Sequence, residues 1–219
     1  MTGFFCLMMK DIRCFDLHHQ VLEAWEDFRL NSGIVPEVLS FDFHTDVLNC
    51  ARRGITLPEN AAEAVNVLHH DEHFDWALRK NIISRAVIAA LSPCAVMPEH
   101  PALEVRNSPL LPDMDTMLND PDTFRSTAES VFSDSFLLPL LADGFPSQPY
   151  ILDIDCDYLL CAGALDIEAG AFIDRLAANA QQITLCREDD WVKILKLPGE
   201  NITGSSLCAA LAERWCMVQ

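Results

Sequence analysis

The sequence predicts an α/β protein with a three-layer α/β/α fold and a mainly parallel sheet. Short apolar runs, each about as long as a strand, alternate with longer stretches whose apolar residues recur at helical spacing. Several of these runs pass directly into polar clusters, which suits buried parallel strands that end at a site. The chain has 219 residues, and half are hydrophobic, which is enough for one sizeable core. Because no flexible linker divides the sequence, we predict one domain over residues 1–219.

The predicted strands are apolar runs spread along the chain. The run Val38 to Phe41 ends in a polar cluster, and the run Tyr150 to Leu152 enters an acidic one. Strands that alternate with helices favour a parallel sheet covered on both faces. The predicted strands are 13–15, 38–41, 86–91, 103–105, 150–152 and 183–186.

Helical periodicity fills most of the intervals between these strands. Val21, Leu22, Trp25 and Phe28 recur at three- and four-residue intervals and form one apolar face. A stretch with six of the twelve prolines is predicted to be a long irregular connection around the short strand at 103–105. That stretch is 93–121, and the further predicted helices are 59–68, 71–83, 122–141, 165–179 and 203–216.

The charge balance is strongly acidic, with 33 acidic residues against 15 basic ones and a net charge of -18. Such a surface repels nucleic-acid phosphates and anionic lipid, so we expect neither nucleic acid nor membrane as a partner. An acidic field favours cationic substrates and metal ions. The alternative is that the acidity only keeps the protein soluble.

The nine cysteines are scattered and odd in number, and no CxxC pair occurs. This usage fits a reducing cytoplasm better than a disulfide scaffold, so we expect a cytoplasmic protein. The apolar run 4–9 is too short to span a membrane and has no basic segment before it, so we expect no signal peptide.

The first candidate metal motif is Asp42-Phe43-His44-Thr45-Asp46, directly after a predicted strand. In open α/β sheets, ligands bind outside the carboxyl ends of the strands. Three ligands at alternate positions can converge there, and carboxylate oxygen with imidazole nitrogen suits Mn²⁺, Fe²⁺ or Zn²⁺. The alternative is a solvated turn with a chance DxHxD pattern.

Two further motifs follow predicted strands in the same way. Asp153-Ile154-Asp155 places carboxylates at alternate positions, and Asp157 comes two residues later. Their mutual repulsion would be relieved by a cation. His18 follows the strand at 13–15 and can reach the same edge of the sheet, although a histidine facing water at a helix start is the alternative. A polar strand end in an acidic protein is the alternative for the aspartates.

Together these motifs supply more ligands than one metal ion needs from the protein. They fit two divalent ions that share bridging carboxylates and a water, which such a pair would activate as a nucleophile. No cysteine occupies a clear ligand position, which argues against a structural zinc site. The predicted metal ligands are His18, Asp42, His44, Asp46, Asp153 and Asp155.

The motifs resemble those of the ureohydrolase superfamily, which contains arginases, agmatinases and, more distantly, histone-type deacetylases. The DxHxD motif is complete, the later SxDxD motif keeps both aspartates but not the serine, and Leu17 replaces the aspartate before His18. The sequence is most similar to the peptide-arginase-like family of that superfamily. The similarity covers about residues 12–190 and includes His-His-x-x-Leu-x-x-Trp from His18, the Leu-Asp-Ile-Asp-x-Asp motif from Leu152, and 71–86.

The resemblance implies an arginase/deacetylase-like fold and hydrolysis of a guanidinium C–N bond, with arginine in a peptide converted to ornithine and urea. It implies two ions, with Mn²⁺ the expected metal, bridged by Asp42 and Asp153. His18 and Asp46 would complete one site, and His44 and Asp155 the other. The substrate would be a peptide or a small guanidinium compound.

The resemblance also suggests residues that act on the substrate. Glu188, just after the last predicted core strand, is the candidate partner of the guanidinium, with a surface acidic residue as the alternative. His70 is the candidate proton shuttle, in a cluster with His69 and His73 whose alternative role is to cap helices. With Asp46, these two form the predicted catalytic set.

Two other functions remain open from the sequence. One is a deacetylase-like amide hydrolase, which normally uses one zinc ion and fewer carboxylates. Retention of Asp46 with Asp153 and Asp155 favours two ions. The other is a non-catalytic metal-binding protein of the same fold.

Overall fold

The computed structural model describes residues 10–92 and 97–216. In these ranges, six strands form one sheet in the order β1-β6-β5-β2-β3-β4, and every neighbouring pair is parallel. The predicted α/β class with helices on both faces of a parallel sheet is confirmed. The strands are β1 Ile12–Phe15, β2 Glu37–Asp42, β3 Arg85–Ala90, β4 Leu103–Arg106, β5 Tyr150–Asp155 and β6 Gln182–Cys186.

The two central strands β2 and β5 are buried at every residue. Alternate side chains face opposite helical layers, because successive side chains of a strand point to opposite faces. Phe41 and Ile154 join the core formed with the later helices, whereas Val38 and Ile151 join the core formed with the early ones. Burial on both faces explains why these strands are near-continuous apolar runs in the sequence.

The helices divide between the two faces in chain order. Helices α1 to α3 contribute to one apolar core, and α5, α6, α7 and α9 contribute to the other. The described helices are α1 Val21–Ser32, α2 Ala61–Val67, α3 His73–Arg79, α4 Met114–Asn119, α5 Pro121–Ser130, α6 Asp134–Leu140, α7 Phe172–Asn179, α8 Asp189–Leu195 and α9 Gly204–Cys216.

The structure differs from the sequence prediction in how it divides three stretches. The single helix predicted over 122–141 is two helices, because Ser133 begins α6 with its side chain accepting a hydrogen bond from the backbone N–H of Phe136. The helix predicted over 165–179 begins only at Phe172, after Gly170 with a left-handed φ of 76°. The stretch predicted as an irregular connection contains the expected strand β4 and also α4, which Asp113 caps.

Two sequence expectations concern residues outside the described ranges. The apolar run 4–9 is one, and the first residues of the proline-rich stretch, 93–96, are the other. Across residues 10–92 and 97–216, the helices are all too short or too polar to cross a bilayer.

The strand order places a topological switch point between β2 and β5. From β2 the chain continues to β3 and β4 on one side, and from β5 it continues to β6 on the other. The two strands therefore diverge in their connections, which leaves a crevice at their carboxyl ends where ligands of open α/β sheets bind. Asp42 ends β2 and Asp155 ends β5, so two predicted ligands flank this crevice.

Candidate metal centre

Polar side chains form two rows across the three central strands, on the face that α1 and α3 cover. In the deeper row Asp153 of β5 pairs in register with Ser40 of β2 and Thr184 of β6. In the outer row, at the strand ends, Asp155 pairs with Cys186 of β6. Because the rows are two residues apart along each strand, both face the same side of the sheet.

Asp153 is fully buried and has a hydrogen-bond partner on each carboxylate oxygen. Oδ2 accepts a hydrogen bond from Oγ of Ser40 at 2.7 Å, and Oδ1 accepts one from Oγ1 of Thr184 at 2.5 Å. Oδ2 also lies 2.8 Å from Nε2 of His18. Burial alone would raise the pKa of Asp153, but His18 and the two hydroxyl groups outweigh it and lower the pKa. The deeper carboxylate is therefore held ionised and in one orientation.

His18 lies in a single 3₁₀ turn, His18–Gln20, directly after the edge strand β1. Its backbone N–H donates to Oε1 of Glu188 at 2.8 Å, and this bond ties the turn to the end of β6. Its Nδ1 lies 3.0 Å from Oδ2 of Asp46 and 3.3 Å from Oδ2 of Asp155. Burial lowers the pKa of His18, but the charges of Asp153 and Asp155 dominate together and raise it well above the usual value.

A second group forms around Asp42, His44 and Asp157. The backbone N–H of His44 donates to Oδ1 of Asp42 at 2.7 Å, and Nδ1 of His44 lies 2.9 Å from Oδ2 of Asp157. One ligand atom from each of these three residues lies within 4.8 Å of the others, and the same is true of His18, Asp42 and Asp155. Asp42 is therefore common to two sets of ligands, at the position a bridging carboxylate needs.

The backbone is strained at two of the site's carboxylates. Asp46 has a φ of 42° and Glu188 a φ of 38°, and both lie in the left-handed region. In the described part of the chain, Asn81 is the third residue other than glycine with a positive φ. Such conformations cost on the order of 1–3 kcal/mol each and concentrate at functional sites. Both residues contact His18, Asp46 through the imidazole ring and the buried Glu188 through the backbone N–H.

Glu188 is only 7% exposed, which rules against the alternative of a surface acidic residue. Its carboxylate accepts the hydrogen bond from His18 and lies with Asp155 and Cys186 in a third group of ligand atoms within 4.8 Å. Burial raises the pKa of Glu188. No cysteine has a clear ligand position in the sequence, but the Cys186 thiol belongs to this group. Burial raises the pKa of Cys186 well above the usual value.

The histidines His69, His70 and His73 lie in different environments. His73 is fully buried at the start of α3, with Nδ1 2.8 Å from the carbonyl oxygen of His70 and 3.8 Å from Oδ2 of Asp46. His70 is exposed and lines a cleft beside His44 and Asp46. His69 is exposed and lies in a separate surface depression.

The structure brings all six predicted metal ligands together with Glu188, and it places His70 at the mouth of the site. Sequence reasoning did not assign two residues that belong to the cluster, Asp157 and His73. Asp157 continues the alternation of aspartates after β5, so that pattern could have identified it. His73 had no local signal, because it reaches the site through the docking of α3 against His18 and Trp25.

The donor set fits divalent cations. Six buried carboxylates surround this place, and Oδ2 of Asp42 and Nε2 of His73 have no hydrogen-bond partner within the described residues. Buried carboxylates without partners are costly unless a cation compensates them. Carboxylate oxygen with imidazole nitrogen is the set that Mn²⁺, Fe²⁺ and Zn²⁺ accept. The carboxylates are Asp42, Asp46, Asp153, Asp155, Asp157 and Glu188.

Comparison with solved structures finds a similar fold in proclavaminate amidino hydrolase from Streptomyces clavuligerus. The TM-score is 0.50 at 12% sequence identity, over 95% of this chain and 63% of that chain. The present chain therefore spans less than two thirds of that enzyme's length. No family model matches the sequence, and no curated protein matches it.

The comparison and the site support two coarse statements about the protein. It has an amidinohydrolase-like α/β fold, and its His and Asp side chains form groups able to hold metal ions at the carboxyl ends of the strands. At this sequence identity the similarity concerns the fold alone. The expected ureohydrolase-like fold is confirmed, and the finer resemblance to peptide arginases stays a prediction.

Proposed function

We propose that the protein is a metal-dependent amidinohydrolase that hydrolyses a C–N bond of a guanidinium group with two Mn²⁺ ions. The observation that carries this proposal is the convergence of buried ligands from the ends of four parallel strands on one crevice. Most buried polar atoms of a structural network are paired, whereas Oδ2 of Asp42 has no hydrogen-bond partner among the described residues.

The resemblance to ureohydrolases suggests a division of the ligands between two ions. His18 and Asp46 would hold one ion, and His44 and Asp155 the other, although Asp155 lies 3.3 Å from His18 in this structure. Asp42, which shares one group of ligand atoms with His18 and another with His44, would bridge the ions together with Asp153. The hydrogen bonds from the neighbouring strands to Asp153 would fix its orientation, as outer partners of metal ligands commonly do. Two such ions would lower the pKa of a water and so supply a nucleophile at neutral pH.

Asp157 would act beside His44 rather than as a principal ligand. Its Oδ1 accepts the backbone N–H of Phe43 at 3.1 Å, and its Oδ2 lies 2.9 Å from Nδ1 of His44. This contact would orient the imidazole ring. If the His44 ring instead turned Nδ1 toward an ion, Oδ2 of Asp157 would be free to bind that ion as an additional ligand.

Glu188 and His70 would act on the substrate. The buried Glu188 carboxylate would pair with the cationic guanidinium, whose planar N–H groups match a carboxylate. His70 is exposed at the cleft that reaches Asp46, where it could hold the proton that the leaving amine needs. His73 is enclosed between Trp25 and Phe74 and has no comparable access.

The proposed substrate is arginine within a peptide, or a small guanidinium compound, in the cytoplasm. The acidic surface favours a cationic substrate over nucleic acid or anionic membrane. Among the described residues, seven cysteines are free thiols, which agrees with a reducing compartment.

The test is urea release by the purified full chain loaded with Mn²⁺. Arginine, agmatine and arginine-containing peptides are offered in parallel, and bound metal is measured by elemental analysis. Asp42→Asn and Asp155→Asn should lose both metal and urea release, and Glu188→Gln should keep metal and lose urea release by at least about 100-fold. The exposed Glu213→Gln is the matched control for loss of one negative charge.

The outcome also separates the alternative functions. One zinc ion per chain with cleavage of acetyl-lysine peptides would favour the deacetylase-like hydrolase. Two bound ions without hydrolysis of any of these compounds would favour a non-catalytic metal-binding protein. Urea release that survives both aspartate substitutions would refute the proposed site.

A further inference from the structure

A cleft of about 240 Å³ opens on the candidate metal centre between the loop that follows β2, the turn that precedes α3, and the first turn of α8. Its inner wall includes His44 and Asp46, so a molecule in the cleft reaches the ligand cluster directly. The volume accommodates one extended side chain and excludes a folded domain. Its outer walls combine the apolar side chains of Leu48 and Trp191 with the imidazole of His70 and the carboxylate of Asp71.

Trp191 is the aromatic wall of this cleft. It lies in the first turn of α8, three residues after Glu188, and its side chain meets the ring of His44 edge-on at a centroid distance of 4.7 Å. It is 37% exposed, whereas Trp25, Trp76 and Trp215 are fully buried in the core. A partly exposed tryptophan at a site entrance is suited to contact a planar cation.

Asp71 supplies a negative charge in the same cleft. Its main chain is fixed, because its carbonyl oxygen accepts a hydrogen bond from the backbone N–H of Leu48 at 2.9 Å. Its Oδ1 is buried from solvent and has no hydrogen-bond partner among the described residues. Because Asp71 lines the cleft, its negative charge would attract a cationic group there.

We propose that Trp191 and Asp71 select the cationic side chain of the substrate at the entrance to the metal centre. The indole would contact the guanidinium-bearing side chain as it enters the cleft, and the negative charge of Asp71 would attract this cation on its way to Glu188. Neither residue takes part in bond cleavage. This inference rests on the proposed function for the identity of the substrate, and it adds two residues that determine specificity through binding.

The experiment measures binding separately from hydrolysis. Agmatine and Nα-acetyl-arginine amide are titrated into the full chain with Mn²⁺ in a calorimeter. Urea release is measured in the same samples, so that heat from hydrolysis is separated from heat of binding. The matched ligand is Nα-acetyl-citrulline amide, which keeps the shape of arginine and loses its charge. The variants are Trp191→Ala, Trp191→Phe and Asp71→Asn, and Ile194→Ala is the control because it is 68% exposed on the same helix.

The expected result is a loss of affinity specific to the cation. Trp191→Ala should weaken binding of the arginine compounds by about 5- to 30-fold, and Trp191→Phe should restore part of the loss. Asp71→Asn should weaken the arginine compounds by about 10-fold and leave the citrulline compound unchanged. Tryptophan emission should change on binding in the wild type and lose that change in Trp191→Phe, since Trp191 is the exposed indole.

Several results would overturn the inference without touching the proposed function. Urea release with the same KM in Trp191→Ala and Asp71→Asn as in the wild type would remove both residues from substrate selection. Equal affinity for the arginine and citrulline compounds would do the same, as would absence of any binding at millimolar ligand. Conversely, selective binding of the arginine compounds without urea release would refute the proposed hydrolysis and leave the selection of cations standing.

Discussion

Replacing Asp42 with asparagine is expected to stabilise the metal-free protein and to abolish its stabilisation by divalent cations. Asp42 is fully buried, and its Oδ2 has no hydrogen-bond partner among the described residues. Burial, followed by the charges of Asp46 and Asp157, raises the pKa of Asp42 well above the usual range. Such a group binds its proton more tightly in the folded state, so stability falls as the pH rises from the unfolded pKa toward the folded one. Near neutral pH the carboxylate is therefore a cost, which the amide removes.

The size of this effect follows from the distances in the site. An oxygen of Asp42 lies within 4.8 Å of one of Asp155, and roughly 3 kcal/mol of repulsion results at an effective dielectric constant of about 20. His18 and the hydrogen bond from the backbone of His44 offset part of this, and protonation limits the remainder. We expect Asp42→Asn to gain about 1–3 kcal/mol in the free energy of unfolding without metal. For a protein of this size, each kcal/mol raises Tm by about 2–4 °C.

Metal binding is expected to stabilise the wild type and to leave the stability of Asp42→Asn unchanged. In the wild type, metal at about 100 times its Kd should add about 2.7 kcal/mol, or roughly 5–11 °C in Tm. In Asp42→Asn this gain should vanish, because the shared ligand of both groups is lost.

Thermal unfolding followed by circular dichroism, with EDTA or with Mn²⁺ near neutral pH, measures both effects on one sample. Glu213→Gln controls for the loss of an exposed charge. A variant that is less stable than the wild type in EDTA, or that keeps the full metal-induced rise in Tm, would refute the reasoning.

Two further predictions concern how α9 is attached to the rest of the protein. Gly204→Ala would place its Cβ 1.7 Å from the carbonyl oxygen of Arg187, so we expect the free energy of unfolding to fall by about 1–3 kcal/mol in denaturation with urea. Because Arg187 precedes Glu188 in the chain, we also expect a lower rate of hydrolysis, measured as urea produced from the substrate. Asp174→Asn should cost about 1–3 kcal/mol near neutral pH, because Asp174 accepts from Arg214 at 2.6 Å and from Trp215 at 3.2 Å. Burial raises the pKa of Asp174, but these donors outweigh burial and lower the pKa. The contribution of Asp174 to stability should therefore fade below about pH 4. Denaturation curves in which the stability difference between wild type and Asp174→Asn grows in acid would contradict this.

The central part of the site could be predicted because its signals are local in the sequence. Asp42 and Asp153 directly follow apolar runs, and the carboxyl ends of parallel strands share one edge of the sheet. Alternation by two residues also placed Asp153 and Asp155 on one face before the register was known. What the sequence could not supply was the depth of each ligand, since this depends on which strands are neighbours.

The parts that were not predicted depend on contacts between distant segments. His73 reaches Asp46 only because α3 packs beside α1, and nothing in the residues around His73 encodes that packing. Helix α8 was not predicted either. It begins after Glu188 in a left-handed conformation without a side-chain cap, so the usual signal for a helix start is absent. The same backbone conformation turns the Glu188 side chain inward, away from the surface position considered as its alternative.

The two rows of carboxylates differ in a way that identifies what the cluster is built to hold. Asp153, in the deeper row, has hydroxyl donors on both oxygens and a lowered pKa, so it is compensated without any ion. Asp42 and Asp155, at the strand ends, have raised pKa values, because burial and neighbouring carboxylates oppose their charge. A structural ion-pair network would have to compensate the outer row as well. Protonation compensates the outer row in part. Under the proposed function, cations in the crevice would compensate it as well, and metal binding would recover free energy that folding spends on burying these charges.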